Sequence, residues 1–126
     1  MKDVMKPIKQ QIMVVDDEED ILTALQAFYE QYDIEVIMVS SGKDCLKQLE
    51  QGFKGVVLID LMMPKMTGWD TIREIINRGL DKDITISIIT GRGTKEHHNI
   101  IEYAPYIKDY ISKPFDEKTL LTLLEE

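Results

Sequence analysis

The sequence predicts a doubly wound α/β fold: one five-stranded parallel sheet, strand order 2-1-3-4-5, with helices on both faces. Two observations predict it. Apolar runs and amphipathic stretches alternate five times along the chain after a short lead-in. The third and fourth runs are rich in β-branched residues and the first is nearly all apolar, as central parallel strands covered on both faces are. Strict strand–helix alternation implies right-handed crossovers, which a doubly wound sheet satisfies.

Residues 1–9 are read as an N-terminal lead-in, and 10–126 as one folded unit. The first strand is expected at 11–15, Gln11-Ile12-Met13-Val14-Val15. The first helix follows at 18–31, where Ile21, Leu22, Leu25, Phe28 and Tyr29 make a helical stripe. A second strand at 34–39 leads to Ser41-Gly42, a helix start, and to a helix at 42–51 that Gly52 stops. The third strand is 55–60, Gly55-Val56-Val57-Leu58-Ile59-Asp60. Its helix, 66–78, carries Trp69, Ile72, Ile75 and Ile76 at helical spacing and stops at Gly79. The fourth strand, 84–90, precedes a helix at 94–103. The fifth strand, 107–111, precedes a helix at 116–125 that starts at Asp116 and carries Leu120, Leu121, Leu123 and Leu124.

Composition narrows the function. The chain has 126 residues, 44% hydrophobic and 30% charged, an ordinary globular mix long enough for a proper core. Its net charge of −8 disfavours direct binding to nucleic acid or to an anionic membrane. No apolar stretch approaches a membrane span, and no signal core follows Met1-Lys2-Asp3. The single cysteine, Cys45, excludes an internal disulfide, fits a reducing cytoplasm and is read as a small core hydrophobe.

The chemistry-bearing residues fall at or just beyond strand ends. Asp16 and Asp17 follow the first strand, Asp60 ends the third, Thr90 ends the fourth, and Lys113-Pro114 follows the fifth. In order 2-1-3-4-5 the strands carrying them are contiguous, so three acids, a hydroxyl and an ammonium meet in one crevice at the topological switch point. Uncompensated carboxylates there would raise each other's pKa, which a hard divalent cation relieves. Magnesium (Mg2+) takes oxygen ligands and keeps waters and substrate phosphate. Asp17 and Asp60 are expected to ligate it directly, and Asp16 through a water. A carboxylate beside a cation attacks a phosphoryl group, giving an aspartyl-phosphate. Lys113 and magnesium would neutralise part of the added charge, and the Thr90 hydroxyl and the backbone N–H groups near Gly91 and Met62 would donate to it.

Taken together, Val14-Val15-Asp16-Asp17-Glu18, Leu58-Ile59-Asp60-Leu61-Met62-Met63-Pro64, Met66-Thr67-Gly68, Thr90 and Tyr110-Ile111-Ser112-Lys113-Pro114-Phe115 resemble the receiver domain of two-component response regulators, a CheY-like, flavodoxin-like family. The resemblance covers about residues 10–126. It implies that Asp60 is the phosphoacceptor, that Asp16 and Asp17 serve the magnesium, and that the Met62 backbone carbonyl is a further metal ligand. It implies Thr90 as the switch hydroxyl, Lys113 as the phosphoryl contact, Tyr110 as the aromatic switch, and a cis Lys113–Pro114 bond. The partners implied are a sensor histidine kinase and a downstream protein or output domain. Homodimerisation through the fourth helix, fifth strand and fifth helix is a further expectation. The resemblance implies no enzyme acting on an outside substrate; the domain catalyses only its own phosphorylation and dephosphorylation. Gly91 departs from the family's usual Ala. Met62 and Arg92 stand at the two positions that tune phosphoryl lifetime in the family. Met62 offers no polar group to orient a water, and slow self-dephosphorylation is expected.

Other readings stay open. Asp16 and Asp17 also suit a helix N-terminus as acids facing its dipole, and Thr90 also suits a helix cap. Tyr110 reads equally as a static edge aromatic or as a moving switch. His97 and His98, adjacent on the fourth helix, point to different faces and read as solvated residues. A magnesium-dependent phosphohydrolase would want an acid two residues after the nucleophile, where Met62 stands. A phosphorylation-independent interaction module is the remaining alternative.

Overall fold

A computed structural model describes residues 10–91 and 97–125, and within them every side chain except those of His97 and His98. Five strands form one sheet: β1 (Gln11–Val15), β2 (Glu35–Val39), β3 (Gly55–Asp60), β4 (Ile84–Thr90) and β5 (Ile107–Ser112). All neighbours pair parallel, in the order β2-β1-β3-β4-β5. The helices are α1 (Glu19–Glu30), α2 (Gly42–Glu50), α3 (Gly68–Asn77), α4 (His97–Tyr103) and α5 (Glu117–Thr122).

Alternation along the strands divides the core between the two faces of the sheet. Met13, Val15, Val57, Ile59, Ile86 and Ile88 pack against Leu46 and Leu49 of α2 and Trp69, Ile72 and Ile75 of α3. Ile12, Val14, Leu58, Ile89 and Ile111 pack against Leu22, Leu25 and Tyr29 of α1 and Leu120 and the following Leu123 near α5. Each fully buried aliphatic side chain contributes about 1.5–3 kcal/mol relative to an exposed one. Cys45 lies in the first of these clusters, and burial pushes its thiol pKa up to about 12. The Tyr29 hydroxyl donates to the Leu120 carbonyl at 2.8 Å and ties α1 to α5.

Local chemistry sets the element ends. Ser41 caps α2 by accepting from the Asp44 N–H, and Asp116 caps α5 by accepting from the Thr119 N–H. Gly52 and Gly79 follow α2 and α3 at φ +103 and +67, backbone that a residue with a Cβ seldom adopts. The third helix starts two residues later than the expected 66, because Thr67 and Asp70 form a reciprocal capping box that places Thr67 outside the helix. A short 3-10 turn, Ala104–Tyr106, with a proline at its start, was not expected. It separates α4 from β5. The fifth helix ends at Thr122 rather than 125, passing into a turn in which the Glu125 N–H reaches the Thr122 carbonyl. Residues 1–9 and 94–96 of the expected lead-in and fourth helix lie outside the described residues.

Candidate phosphoryl and metal site

The parallel register brings the chemistry to one rim. Val15 at the end of β1 is level with Ile59, one residue before Asp60. Asp60 is level with Ile89, one residue before Thr90, and Thr90 is level with Ser112, one residue before Lys113. The C-terminal ends of β1, β3, β4 and β5 therefore present Asp16, Asp60, Thr90 and Lys113 in sequence across the sheet. The Lys113 N–H donates to the Thr90 carbonyl at 2.8 Å, which extends the β4–β5 pairing to the lysine itself. The Lys113–Pro114 bond is cis.

Asp16 and Asp60 are buried, and Asp17 is exposed at the mouth. One carboxylate oxygen from each lies within 4.8 Å of the other two. Backbone amides hold two of these side chains. The Glu18 N–H donates to Asp16 Oδ1 at 2.9 Å, and the Met62 N–H donates to Asp60 Oδ1 at 3.1 Å. The Lys113 ammonium donates to Asp16 Oδ2 at 3.0 Å and to Glu18 Oε1 at 3.1 Å, and stands 3.7 Å from Asp60 Oδ2.

The electrostatics follow from that crowding. Burial raises the Asp60 pKa, and the neighbouring Asp16 charge adds to the rise; the Met62 N–H and the Lys113 charge work against it. Burial alone would lower the Lys113 pKa, but its hydrogen bonds to Asp16 and Glu18 and the charges of Asp16 and Asp60 leave it raised. Among the described residues one ammonium thus serves three carboxylates, and a cluster of oxygen donors with excess negative charge remains. That donor set fits magnesium: it is all oxygen, it is partly buried, and a divalent cation relieves both the burial of the Asp60 charge and the Asp16 repulsion that adds to it.

The loop after β3 shapes the far wall. Lys65 sits at φ 65, and the turn carries the chain back until the Gly68 N–H donates to the Leu61 carbonyl at 3.2 Å. Leu61 and Met63 are buried, whereas Met62 between them is 66% exposed. Thr90 is buried. Tyr110 is 47% exposed on β5, and what burial it has raises its pKa. Among the described residues a Cβ on Gly91 would meet Lys113 Cδ at 3.9 Å, an ordinary contact. Arg92 lies outside the described residues. Glu18, directly after the acid pair, joins the cluster through Lys113, a role that its sequence position alone does not specify.

Similarity to known proteins agrees with this geometry. Residues 12–125 match the family model described as "Response regulator receiver domain". The chain is 31% identical over 110 residues to the response regulator SaeR of Staphylococcus epidermidis and, equally, to that of Staphylococcus aureus. Each alignment covers 87% of this chain and 46% of the relative, so the chain spans about half the length of these relatives. A CheY-like response regulator receiver domain protein from Methanospirillum hungatei superposes with a TM-score of 0.85 at 37% identity, covering 93% of this chain and 92% of that one. The N-terminal domain of a response regulator receiver protein from Methanoculleus marisnigri gives 0.74 at 32% identity, covering 91% and 93%. With the acid cluster, the lysine and the strand order in agreement, the chain belongs to the response regulator receiver domains of two-component signalling.

Proposed function

We propose that this domain is a phosphorylation-dependent switch that stores a phosphoryl group on Asp60. The observation that carries the reading is the convergence of three carboxylates within 4.8 Å with a lysine ammonium beside them. A histidine kinase is the donor. The Asp60 carboxylate oxygen forms the bond to phosphorus as the phosphorus–nitrogen bond to the kinase histidine breaks. Asp60 needs no base, because the ionised carboxylate is already the nucleophile. Magnesium, held by Asp17 and Asp60 with the Met62 carbonyl and by Asp16 through water, would supply positive charge against the phosphoryl oxygens. Lys113 then pairs with a phosphoryl oxygen, and the Met62 N–H and the Thr90 hydroxyl donate to the others.

The added group brings about −1.5 to −2 charges. Thr90 and Tyr110 respond to it, and the face built from α4, β5 and α5 changes. That is a shift between two populated states, biased by contacts that exist only with the phosphoryl group in place. The half-exposed Tyr110 and the exposed Ile101 supply that face with apolar surface for a downstream protein, an output domain or a second copy. The negative charge of the chain turns it away from nucleic acid, and we assign it to the cytoplasm. Among the described residues no helix is long and apolar enough to cross a membrane. Met62 brings no polar group to aim a water at the phosphorus, and with Arg92 it keeps self-dephosphorylation slow. The test is fluorine NMR of beryllofluoride, a phosphoryl mimic, with magnesium. The parent is expected to bind it and Asp60→Asn is not; equal binding by both contradicts the reading.

A further inference from the structure

We propose that Glu18 is a positioning residue that parks the Lys113 ammonium at the Asp16 end of the pocket, away from Asp60, until a phosphoryl group claims it. The inference rests on reading Asp60 as the phosphoryl acceptor. Glu18 engages the same partnership twice. Its backbone N–H donates to Asp16 Oδ1 at 2.9 Å, and its carboxylate accepts from the ammonium that donates to Asp16 Oδ2. Lys113 is thus within hydrogen-bond reach of Asp16 and Glu18, at 3.0 and 3.1 Å, but 3.7 Å from Asp60 Oδ2. The pair of carboxylates on one side outweighs the single one on the other.

The grip is built to release. The Glu18 side chain is 58% exposed, whereas that of Asp16 is wholly buried and that of Lys113 is 15% exposed. Glu18 can therefore return to water at little cost when its cation leaves, which Asp16 cannot. A phosphoryl group on Asp60 offers Lys113 more negative charge than Glu18 does, in a more buried place. On this proposal, charging Asp60 draws Lys113 off Glu18, so the contact weakens the phosphorylated state by its own worth. For an ion pair with one mostly exposed partner that is about two- to fivefold in binding.

The experiment compares beryllofluoride affinity, by fluorine NMR in saturating magnesium, among the parent, Glu18→Gln and Glu18→Asp. Glu18→Asp keeps the charge but draws the carboxylate back by one methylene, so it separates the contact from the field of the charge. Both variants are expected to bind beryllofluoride about two- to fivefold more tightly than the parent. Parent-like affinity in Glu18→Asp, or no tightening in either variant, overturns the proposal while leaving Asp60 as the acceptor. A parent that binds no beryllofluoride overturns the acceptor reading, and this inference with it.

Discussion

A side-chain carbon on Gly68 would stand 2.5 Å from the carbonyl oxygen of Asp60 and 2.7 Å from Leu61 Cα. The first residue of α3 is therefore packed directly on the backbone that carries the acceptor carboxylate. Backbone cannot swing aside as a flexible side chain does, so Gly68→Ala must push the end of β3 and the start of α3 apart. We expect a loss of about 1–3 kcal/mol in urea denaturation. Beryllofluoride binding is expected to fall with it, because the Met62 N–H that holds Asp60 Oδ1 moves with the same loop.

Removing the acceptor charge should strengthen the metal-free fold. Asp60 is buried beside the like charge of Asp16, and its pKa is raised mainly by that burial. An ionised Asp60 at neutral pH is a net cost to the folded state when no cation is present. Asp60→Asn keeps the shape and drops the charge. Its thermal midpoint in a chelator is expected to exceed that of the parent by about 3–5 °C, the shift that about 1 kcal/mol makes in a domain of intermediate size. Added magnesium should narrow the gap by stabilising the parent more. A lower midpoint for the variant in chelator would show that the site is not strained in this way.

The order of the elements was legible because hydrophobic period is a strong signal. Gly55 to Asp60 and Ile84 to Thr90 read directly as buried parallel strands, and both strands run over those residues. Ser41, Asp116, Gly52 and Gly79 announced element ends through side-chain oxygens and positive φ. The start of α3 was missed because Met66 extends the apolar pattern, while the Thr67–Asp70 capping box that ends it is a two-residue polar contact. The turn at Ala104–Tyr106 was missed because it is too short to show a period. In the site, acids at strand ends were legible through topology alone. The pairing of Glu18 with Lys113 was not, since those residues are 95 apart in sequence and one is a surface side chain.

The capping box gives a pH-dependent prediction. The Thr67 backbone hydrogen bond holds the Asp70 carboxyl below the usual carboxylate range, and the Arg73 guanidinium adds to the effect. A depressed folded-state pKa contributes stability that is present above the unfolded value and is lost as pH falls through the folded value. Thr67→Ala removes the acceptor for the Asp70 N–H and is expected to cost about 1 kcal/mol at neutral pH. Asp70→Asn should lose part of the acid dependence of the parent, read as a flatter fall in stability from pH 5 downward. An unchanged profile would place that dependence elsewhere.

The central claim is that Asp60 stores a phosphoryl group, and intact-protein mass spectrometry after incubation with acetyl phosphate and magnesium tests it most directly. The parent is expected to gain the mass of one phosphoryl group, lost on treatment with hydroxylamine, and peptide mapping after borohydride reduction should place it at Asp60. Asp60→Asn is expected to gain none, and chelation of magnesium should abolish the gain in the parent. A phosphoryl group mapped to another residue, or a gain undiminished in Asp60→Asn, would contradict the account.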